Sequence, residues 1–138
     1  MTSPRADKSL IIVNAIRCPN GDILQSRHTH DFVMNSQGYG VDGGLSYLRR
    51  VFPSVPDYEE LSLYYGDPHA KIRELFDWGS YGKDGKQPLK RILLKDLTDD
   101  HIDAIIRTQW QLPSYIHEQF LNEKHWRHEE HIWGLNRD

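Results

Sequence analysis

Residues 89–108 read LKRILLKDLTDDHIDAIIRT, and this stretch joins a strand pattern directly to a helix pattern. The apolar run within residues 89–96 predicts a strand, and its basic residues indicate that one edge or end is solvated. Thr98 is a preferred N-cap residue, and the two aspartates that follow it favour the positive end of a helix dipole. The apolar stripe of the predicted helix consists of Ile102, Ile105 and Ile106. The stretch therefore predicts a strand followed at once by an amphipathic helix.

The N-terminal segments read mainly as strands. Residues 9–17 (SLIIVNAIR) are rich in β-branched residues, and the Asn20-Gly21 pair that follows is a tight-turn signal. We predict a β-hairpin with residues 22–34 as its second arm, in which His28 and His30 would point to the same face. Residues 45–52 have helical spacing after a glycine pair and are predicted to form a short helix or turn.

The remaining segments add a strand and two helices. Residues 60–65 (ELSLYY) alternate like a strand, and residues 68–77 are predicted to form a helix that begins at Asp67-Pro68. Pro113 opens a final helix that precedes Gly134. The order of elements predicts an α+β fold with a mainly antiparallel sheet, about three to four helices and a C-terminal helical pair.

The composition is typical of one folded domain, so we expect residues 1–138 to form a single ligand-binding domain with a flexible N-terminus at residues 1–8. Seventeen Lys and Arg against twenty Asp and Glu give a net charge of −3, which argues against binding long nucleic acid. No segment has the apolar length of a membrane span, and no membrane partner is expected. Cys18 is the only cysteine, as in proteins of a reducing cytosol.

Residues 78–88, WGSYGKDGKQP, have the composition of a nucleotide-binding loop. Three glycines let backbone N–H groups approach an anion, Lys83 and Lys86 add positive charge, and Trp78 and Tyr81 offer faces on which a base can stack. The loop lacks the G-K-S/T of a Walker motif. The alternative is a simple connection between helix and strand, whose aromatic rings cap the core.

Histidine-rich segments raise a different chemistry. His28, His30 and Asp31, with His69 or His101, would be the ligands of a metal-dependent phosphodiesterase, although histidines that pair within a sheet explain them equally simply. His125, His128 and His131 share one helical face, which favours a solvated or subunit-facing helix end over a metal site. Arg49-Arg50 is either an anion-binding pair or the source of surface salt bridges.

Three blocks, SRHTHDF, GYGVDGGLSYLRR and WGSYGKDGKQPLKRILLKDLTDDHIDAIIRTQ, resemble the first-described type of phage anti-Thoeris proteins over about residues 10–125. The resemblance implies a viral binding protein, without cofactor, metal or catalytic residues, that acts in the host bacterial cytoplasm. Such proteins sequester the immune signal glycocyclic ADP-ribose intact, and members also bind cyclic di- or trinucleotides, which blocks Thoeris- or CBASS-type immunity. They are homo-oligomers, dimers or hexamers. A protein that inhibits a host protein by direct contact is a third possibility.

The resemblance also suggests which residues hold the ligand. Arg107 matches a family arginine that grips the ligand, Trp78 or Tyr81 matches an adenine-stacking ring, and Gln87 matches an adenine-reading amide. The remaining candidate ligand-binding residues are Lys83, Thr108, Arg27, His28, Arg49, Arg50 and Arg91.

Overall fold

The computed structural model describes residues 7–82 and 84–136, and the side chains as far as residue 129. The fold is α+β, as predicted, with antiparallel strand pairs and three α-helices in the described part of the chain. Contacts divide the chain into two compact units, Met1–Pro68 and His69–Asp138, where we expected one domain. None of the described helices is long and apolar enough to cross a membrane.

In the described residues of the first unit the regular elements are all strands: β1 Asp7–Val13, β2 Ala15–Arg17, β3 Ile23–Gln25, β4 Val33–Met34, β5 Gly40–Asp42, β6 Arg49–Val51, β7 Glu59–Glu60 and β8 Leu63–Tyr65. They form three small antiparallel sheets in the orders β1-β8, β3-β2-β7 and β4-β5-β6. Of the N-terminus predicted to be flexible, residues 1–6 lie outside the described residues, and Asp7 and Lys8 begin β1. A buried cluster that includes Ile16, Leu24 and Val41 packs these strands together.

The predicted hairpin forms, but its second arm is much shorter than expected. The turn closes through hydrogen bonds from Cys18 N–H to the Asp22 carbonyl (2.8 Å) and from Gly21 N–H to the Cys18 carbonyl (2.9 Å). Residues 26–32 are not a strand, and His30 has a φ of 66°. The predicted alternation of His28 and His30 on one sheet face was therefore wrong.

Two side chains explain why the strand ends. The Asp31 carboxylate accepts a hydrogen bond from the Arg27 N–H (2.9 Å), and the Ser26 hydroxyl donates to the Asp31 carbonyl (2.6 Å). Ser26 also accepts from the Gly44 N–H (2.9 Å), so residues 26–32 close into a compact loop against a distant turn. Side chains that satisfy nearby backbone groups in this way compete with a sheet ladder.

The segment after that turn also differs from the prediction. A short helix or a turn was predicted at residues 45–52. Residues 44–46 form a turn, but residues 49–51 are strand β6 and not helix. The strand forms because it pairs with β5, with Asp42 opposite Arg49 and Val41 opposite Arg50. The predicted strand at residues 60–65 is divided between β7 and β8.

The second unit contains α1 His69–Leu75, β9 Asp77–Ser80, β10 Lys90–Leu93, a 3₁₀ turn Leu94–Asp96, α2 Asp99–Thr108 and α3 Ser114–Asn136. The strand predicted at residues 89–96 is therefore limited to β10, and the 3₁₀ turn separates it from α2. All three helices form where the sequence predicts helices, but α1 ends at Leu75 and α3 continues past Gly134 to Asn136. The Thr98 hydroxyl accepts a hydrogen bond from the His101 N–H (3.1 Å), as an N-cap residue should. The buried apolar residues of the second unit are Ile72, Phe76, Leu94, Leu97, Ile102, Ile105, Ile116 and Phe120.

A buried carboxylate links α1 to α3. Glu123 is fully buried and accepts hydrogen bonds from His69 Nε2 (2.9 Å), Arg73 Nε and Nη2 (2.9 and 2.8 Å) and Arg127 Nε (2.8 Å). Burial alone would raise the pKa of Glu123, but these donors outweigh it and hold the pKa at about 2. Arg127 also donates to Asp99 (2.7 Å), the first residue of α2. Glu123 is therefore ionised and organises the helices of this unit.

Candidate functional site

A groove of about 800 Å³ lies in the second unit between the β9–β10 hairpin and α2. Its size falls within the range of about 300–1,000 Å³ that is usual for small-molecule sites. The hairpin contributes Ser80, Gly82, Gln87, Pro88, Leu89, Lys90 and Ile92. The helix and its cap contribute Thr98, Asp100, His101 and Ala104. We refer to this feature as the groove.

The hairpin loop folds on itself to form one rim of the groove. Gln87 N–H donates to the Tyr81 carbonyl (2.8 Å), which closes the loop. Gly82 has a φ of 82°, and a Cβ at this position would lie 2.6 Å from the Gln87 side chain. Glycine is therefore required here both for its backbone conformation and for the space that the Gln87 side chain occupies.

The backbone amides of this loop are not arranged as the anion cradle that we expected from its glycines. Gly82 N–H donates to the Ser80 hydroxyl (3.2 Å), Gly85 N–H to the Gly82 carbonyl (3.1 Å) and Lys86 N–H to the Asp84 carboxylate (3.0 Å). These donors are used within the loop. A ligand in the groove would thus be recognised mainly by side chains.

Four polar side chains of different chemistry line the groove: the amide of Gln87, the ammonium of Lys90, the carboxylate of Asp100 and the imidazole of His101. Within the described part of the chain, none of these four side chains makes a hydrogen bond or ion pair. The apolar surface between them comes from Pro88, Leu89, Ile92 and Ala104. Apolar walls with a few convergent polar groups are typical of a ligand site.

Gln87 is the residue from the predicted set whose side chain lines the groove. Trp78 is half-buried in β9 and packs edge-on against Phe120, with ring centroids 5.4 Å apart and planes at 89°. That contact agrees with the alternative in which the aromatic residue of this segment packs against the core. Tyr81 is 55% exposed on the loop. Lys83 lies outside the described residues.

The other predicted residues of this unit lie on the hairpin and on α2. Arg91 faces Asp77 in an ion pair of 3.8 Å. The Thr108 hydroxyl donates to the Ala104 carbonyl (2.7 Å), so it is used within its own helix. Arg107 is exposed in the last turn of α2 and makes no ion pair with a described residue.

The predicted residues of the first unit have partners within it, apart from the exposed His28. Arg27 donates to the Gln25 side chain (3.2 Å). Arg49 lies 3.7 Å from Asp42 and over the Phe32 ring, at 5.3 Å from its centroid. Arg50 binds the Glu60 carboxylate through both Nε and Nη2 and also donates to Ser62. Arg49 and Arg50 are therefore in salt bridges, which was the alternative to anion binding.

The histidines are dispersed. Among the described residues, no three His, Cys, Asp or Glu side chains are grouped so that they could hold a metal ion. His69, a residue of the phosphodiesterase alternative, is bound to Glu123, and His125 faces Glu129 at 3.5 Å. The side chain of His131 lies outside the described residues.

Sequence reasoning missed Lys90, Asp100 and His101 as members of one site. Asp100 had an adequate local explanation, since an acidic residue in the first turn stabilises a helix. Lys90 was noticed only as part of a basic stretch. The groove, which places residues of the hairpin opposite residues at the start of α2, has no local signal in the sequence.

Comparison with known proteins gives one match. Residues 10–52 match the model of a family described as a domain of unknown function (DUF7695). No curated protein and no solved structure matches the chain significantly. The matched segment covers β2 to β6 and the 26–32 loop of the first unit, and it does not extend to the groove.

Proposed function

We propose that this chain is a phage counter-defence protein that binds a cyclic nucleotide-derived immune signal and holds it intact. The signal is glycocyclic ADP-ribose, or a cyclic di- or trinucleotide, in the cytoplasm of the host bacterium. The binding form is a homo-oligomer, and no cofactor, metal or catalytic step is involved. The observation that carries the proposal is the groove, which is lined by an amide, an ammonium, a carboxylate and an imidazole that are open to solvent and have no hydrogen-bond or ion-pair partner among the described residues.

The chemistry of the groove suits such a ligand. An adenine ring needs apolar surface on its faces and a mixed donor and acceptor group at its edge. Leu89 and Ile92 provide apolar surface, and the Gln87 amide is the kind of side chain that can donate to and accept from adenine together. Lys90 provides the positive charge that a phosphate requires. The groove thus offers partners for the base and for a phosphate of the ligand.

The surface beyond the groove supports the oligomeric part of the proposal. Trp110 is 80% exposed, and Leu121 on α3 is 45% exposed beside the same shallow depression of about 390 Å³. Exposed indole and leucine side chains of this kind are common in subunit contacts. A sequestering protein releases its ligand slowly, and a site that is closed by assembly favours slow release.

The test is ligand recovery. Purified full-length protein is mixed with glycocyclic ADP-ribose or, separately, with a cyclic trinucleotide, freed of unbound ligand by desalting, and denatured by heat. Chromatography and mass spectrometry then identify what is released. Recovery of the unchanged ligand is the expected result. A cleaved product would show a phosphodiesterase, and the absence of both ligands would direct attention to a host protein target.

A pair of glutamine variants locates the site. Gln87→Ala should weaken binding by about 1–3 kcal/mol, because it removes the amide that pairs with the base. Gln111→Ala is the matched control, since Gln111 is exposed and its one side-chain hydrogen bond among the described residues is to Gln109 (2.7 Å). Titration calorimetry with the retained ligand measures both. Equal affinities for the two variants would place the ligand elsewhere on the chain.

A further inference from the structure

The two aspartates in the first turn of α2 have different surroundings. Asp99 accepts a hydrogen bond from Arg127 Nη1 (2.7 Å) and so has a structural role. Asp100 lines the groove, and its carboxylate makes no hydrogen bond or ion pair with any residue that the structure describes. An acidic residue in the first turn stabilises a helix, but this effect does not require Asp100 to lie beside a cavity.

The charge balance of the groove limits what can lie beside Asp100. Among the described residues, Lys90 and Asp100 are the lining side chains with formal charge, and their charges are opposite. A phosphate next to a carboxylate is repelled, and the repulsion grows as water leaves the site. The phosphates of a bound nucleotide would therefore lie towards Lys90 and away from Asp100.

An ionised carboxylate accepts hydrogen bonds and cannot donate them. On a nucleotide-derived ligand, the donors are the amino group of the base and the hydroxyls of the ribose. The Gln87 amide both donates and accepts, which fits the edge of an adenine, whereas two carboxylate oxygens fit a pair of neighbouring hydroxyls. Carboxylates serve this purpose in dinucleotide-binding proteins, where Asp or Glu binds ribose.

We infer that Asp100 is a specificity-determining residue of the groove and accepts hydrogen bonds from ribose hydroxyls of the ligand. The inference rests on the proposed function and adds a prediction about which ligands the groove prefers. A signal with free ribose hydroxyls is bound, and an otherwise identical molecule that lacks them is bound more weakly.

The first experiment neutralises Asp100 and asks whether the ligand then binds more weakly or more tightly. Glycocyclic ADP-ribose is titrated into the wild type, into Asp100→Asn and into Asp103→Asn, a control in which α2 loses the same charge outside the groove. Asp100→Asn should weaken binding about tenfold, because the amide retains one acceptor oxygen where the carboxylate has two. Unchanged or tighter binding overturns the inference, since a carboxylate near phosphate would give tighter binding when neutralised.

The second experiment uses competitors. ADP-ribose and its analogue without the 2″-hydroxyl are each added to the wild-type complex, and displacement of glycocyclic ADP-ribose is measured, because the second ribose is the one that keeps two neighbouring free hydroxyls in the cyclic signal. ADP-ribose should compete better in the wild type, and the difference should shrink in Asp100→Asn. A wild type that does not distinguish them overturns the hydroxyl assignment. If the wild type retains no glycocyclic ADP-ribose, the proposed ligand itself is wrong, and the inference fails with it.

Discussion

Glu123→Gln is the substitution with the largest predicted effect on the stability of the second unit. The wild-type carboxylate is fully buried and accepts four hydrogen bonds from His69, Arg73 and Arg127. The neutral amide cannot balance the two guanidinium groups, and its NH₂ group would face other donors. The substitution therefore leaves partly buried positive charge without a counterion.

The structure gives the magnitude in two ways. Breaking a buried ion pair by removing one partner costs about 3–5 kcal/mol. The same contacts lower the pKa of Glu123 from the usual 4.5 to about 2, and that shift corresponds to about 3 kcal/mol of stability. Because the folded-state pKa is the lower one, this stability is fully present above pH 4.5 and is lost as the pH falls through about 2. Glu123→Gln should therefore lose about 3 kcal/mol at pH 7 and much less at pH 2.

Tryptophan fluorescence makes the measurement specific. All four tryptophans, at positions 78, 110, 126 and 133, belong to the second unit. The Trp126 ring lies 5.2 Å from the Arg73 guanidinium carbon, so it reports on the ion centre itself. Urea unfolding is followed for the wild type, Glu123→Gln and Glu129→Gln, a control on the same helix whose carboxylate is half exposed.

The control should lose less than about 1 kcal/mol, because exposed ion pairs contribute little. The reasoning is refuted if Glu123→Gln and Glu129→Gln unfold at the same urea concentration at pH 7. It is also refuted if the difference between Glu123→Gln and the wild type is as large at pH 2 as at pH 7.

Two further predictions concern the first unit. Gly44→Ala should destabilise the β4–β6 sheet by more than the roughly 1–2 kcal/mol expected for Gly21→Ala. Both glycines have a positive φ, but a Cβ at Gly44 would lie 2.3 Å from a backbone carbon, whereas a Cβ at Gly21 would face open space. Hydrogen exchange of peptides from this sheet measures the difference, and equal protection in the two variants would contradict the prediction. The pKa of Tyr39 is raised to about 12 by its hydrogen bond to Asp57 (2.5 Å), so this bond stabilises the fold below pH 10 and is lost as the pH rises through about 12. Asp57→Asn should lower the pKa of the Tyr39 hydroxyl, which NMR of the ring can follow. An unchanged pKa would show that the Asp57 carboxylate does not raise it.

Local signals predicted the elements whose ends are fixed by neighbouring residues. Thr98 caps α2 with its own hydroxyl, Pro113 directly precedes α3, and the turn after Cys18 closes between residues four apart. Each of these interactions lies within about one turn of chain. Single-residue preferences therefore carry enough information to place them.

Prediction failed where distant residues decide the structure. Residues 26–32 alternate like a strand, yet Ser26 binds the Gly44 N–H eighteen residues away and Asp31 closes the loop. Residues 49–51 belong to a segment, residues 45–52, whose spacing predicted a short helix or turn, but they form a strand because Arg49 pairs opposite Asp42. Tertiary pairing overrode local pattern in both segments.

The lining of the groove was predicted only in part, because distant parts of the chain also decide which residues meet there. The composition of residues 78–88 drew attention to the hairpin, and Gln87 lines the groove. Trp78, which looked equally suited to a ligand, instead packs on Phe120, forty-two residues later in the chain. The opposite wall, with Asp100 and His101, belongs to the groove only because the fold places the start of α2 across from the hairpin.

The buried ion centre and the groove are connected through Arg127. Its guanidinium binds Glu123 with Nε, Asp99 with Nη1 and the carbonyls of Leu94 and Lys95 with Nη2, so it fixes the segment that enters α2. With Asp99 fixed in this way, the next residue, Asp100, is presented to the groove from an ordered first turn. A wall that is already ordered loses less conformational entropy when a ligand binds, which favours tight binding and slow release. The network that stabilises the second unit thus also prepares the groove for the function proposed for it.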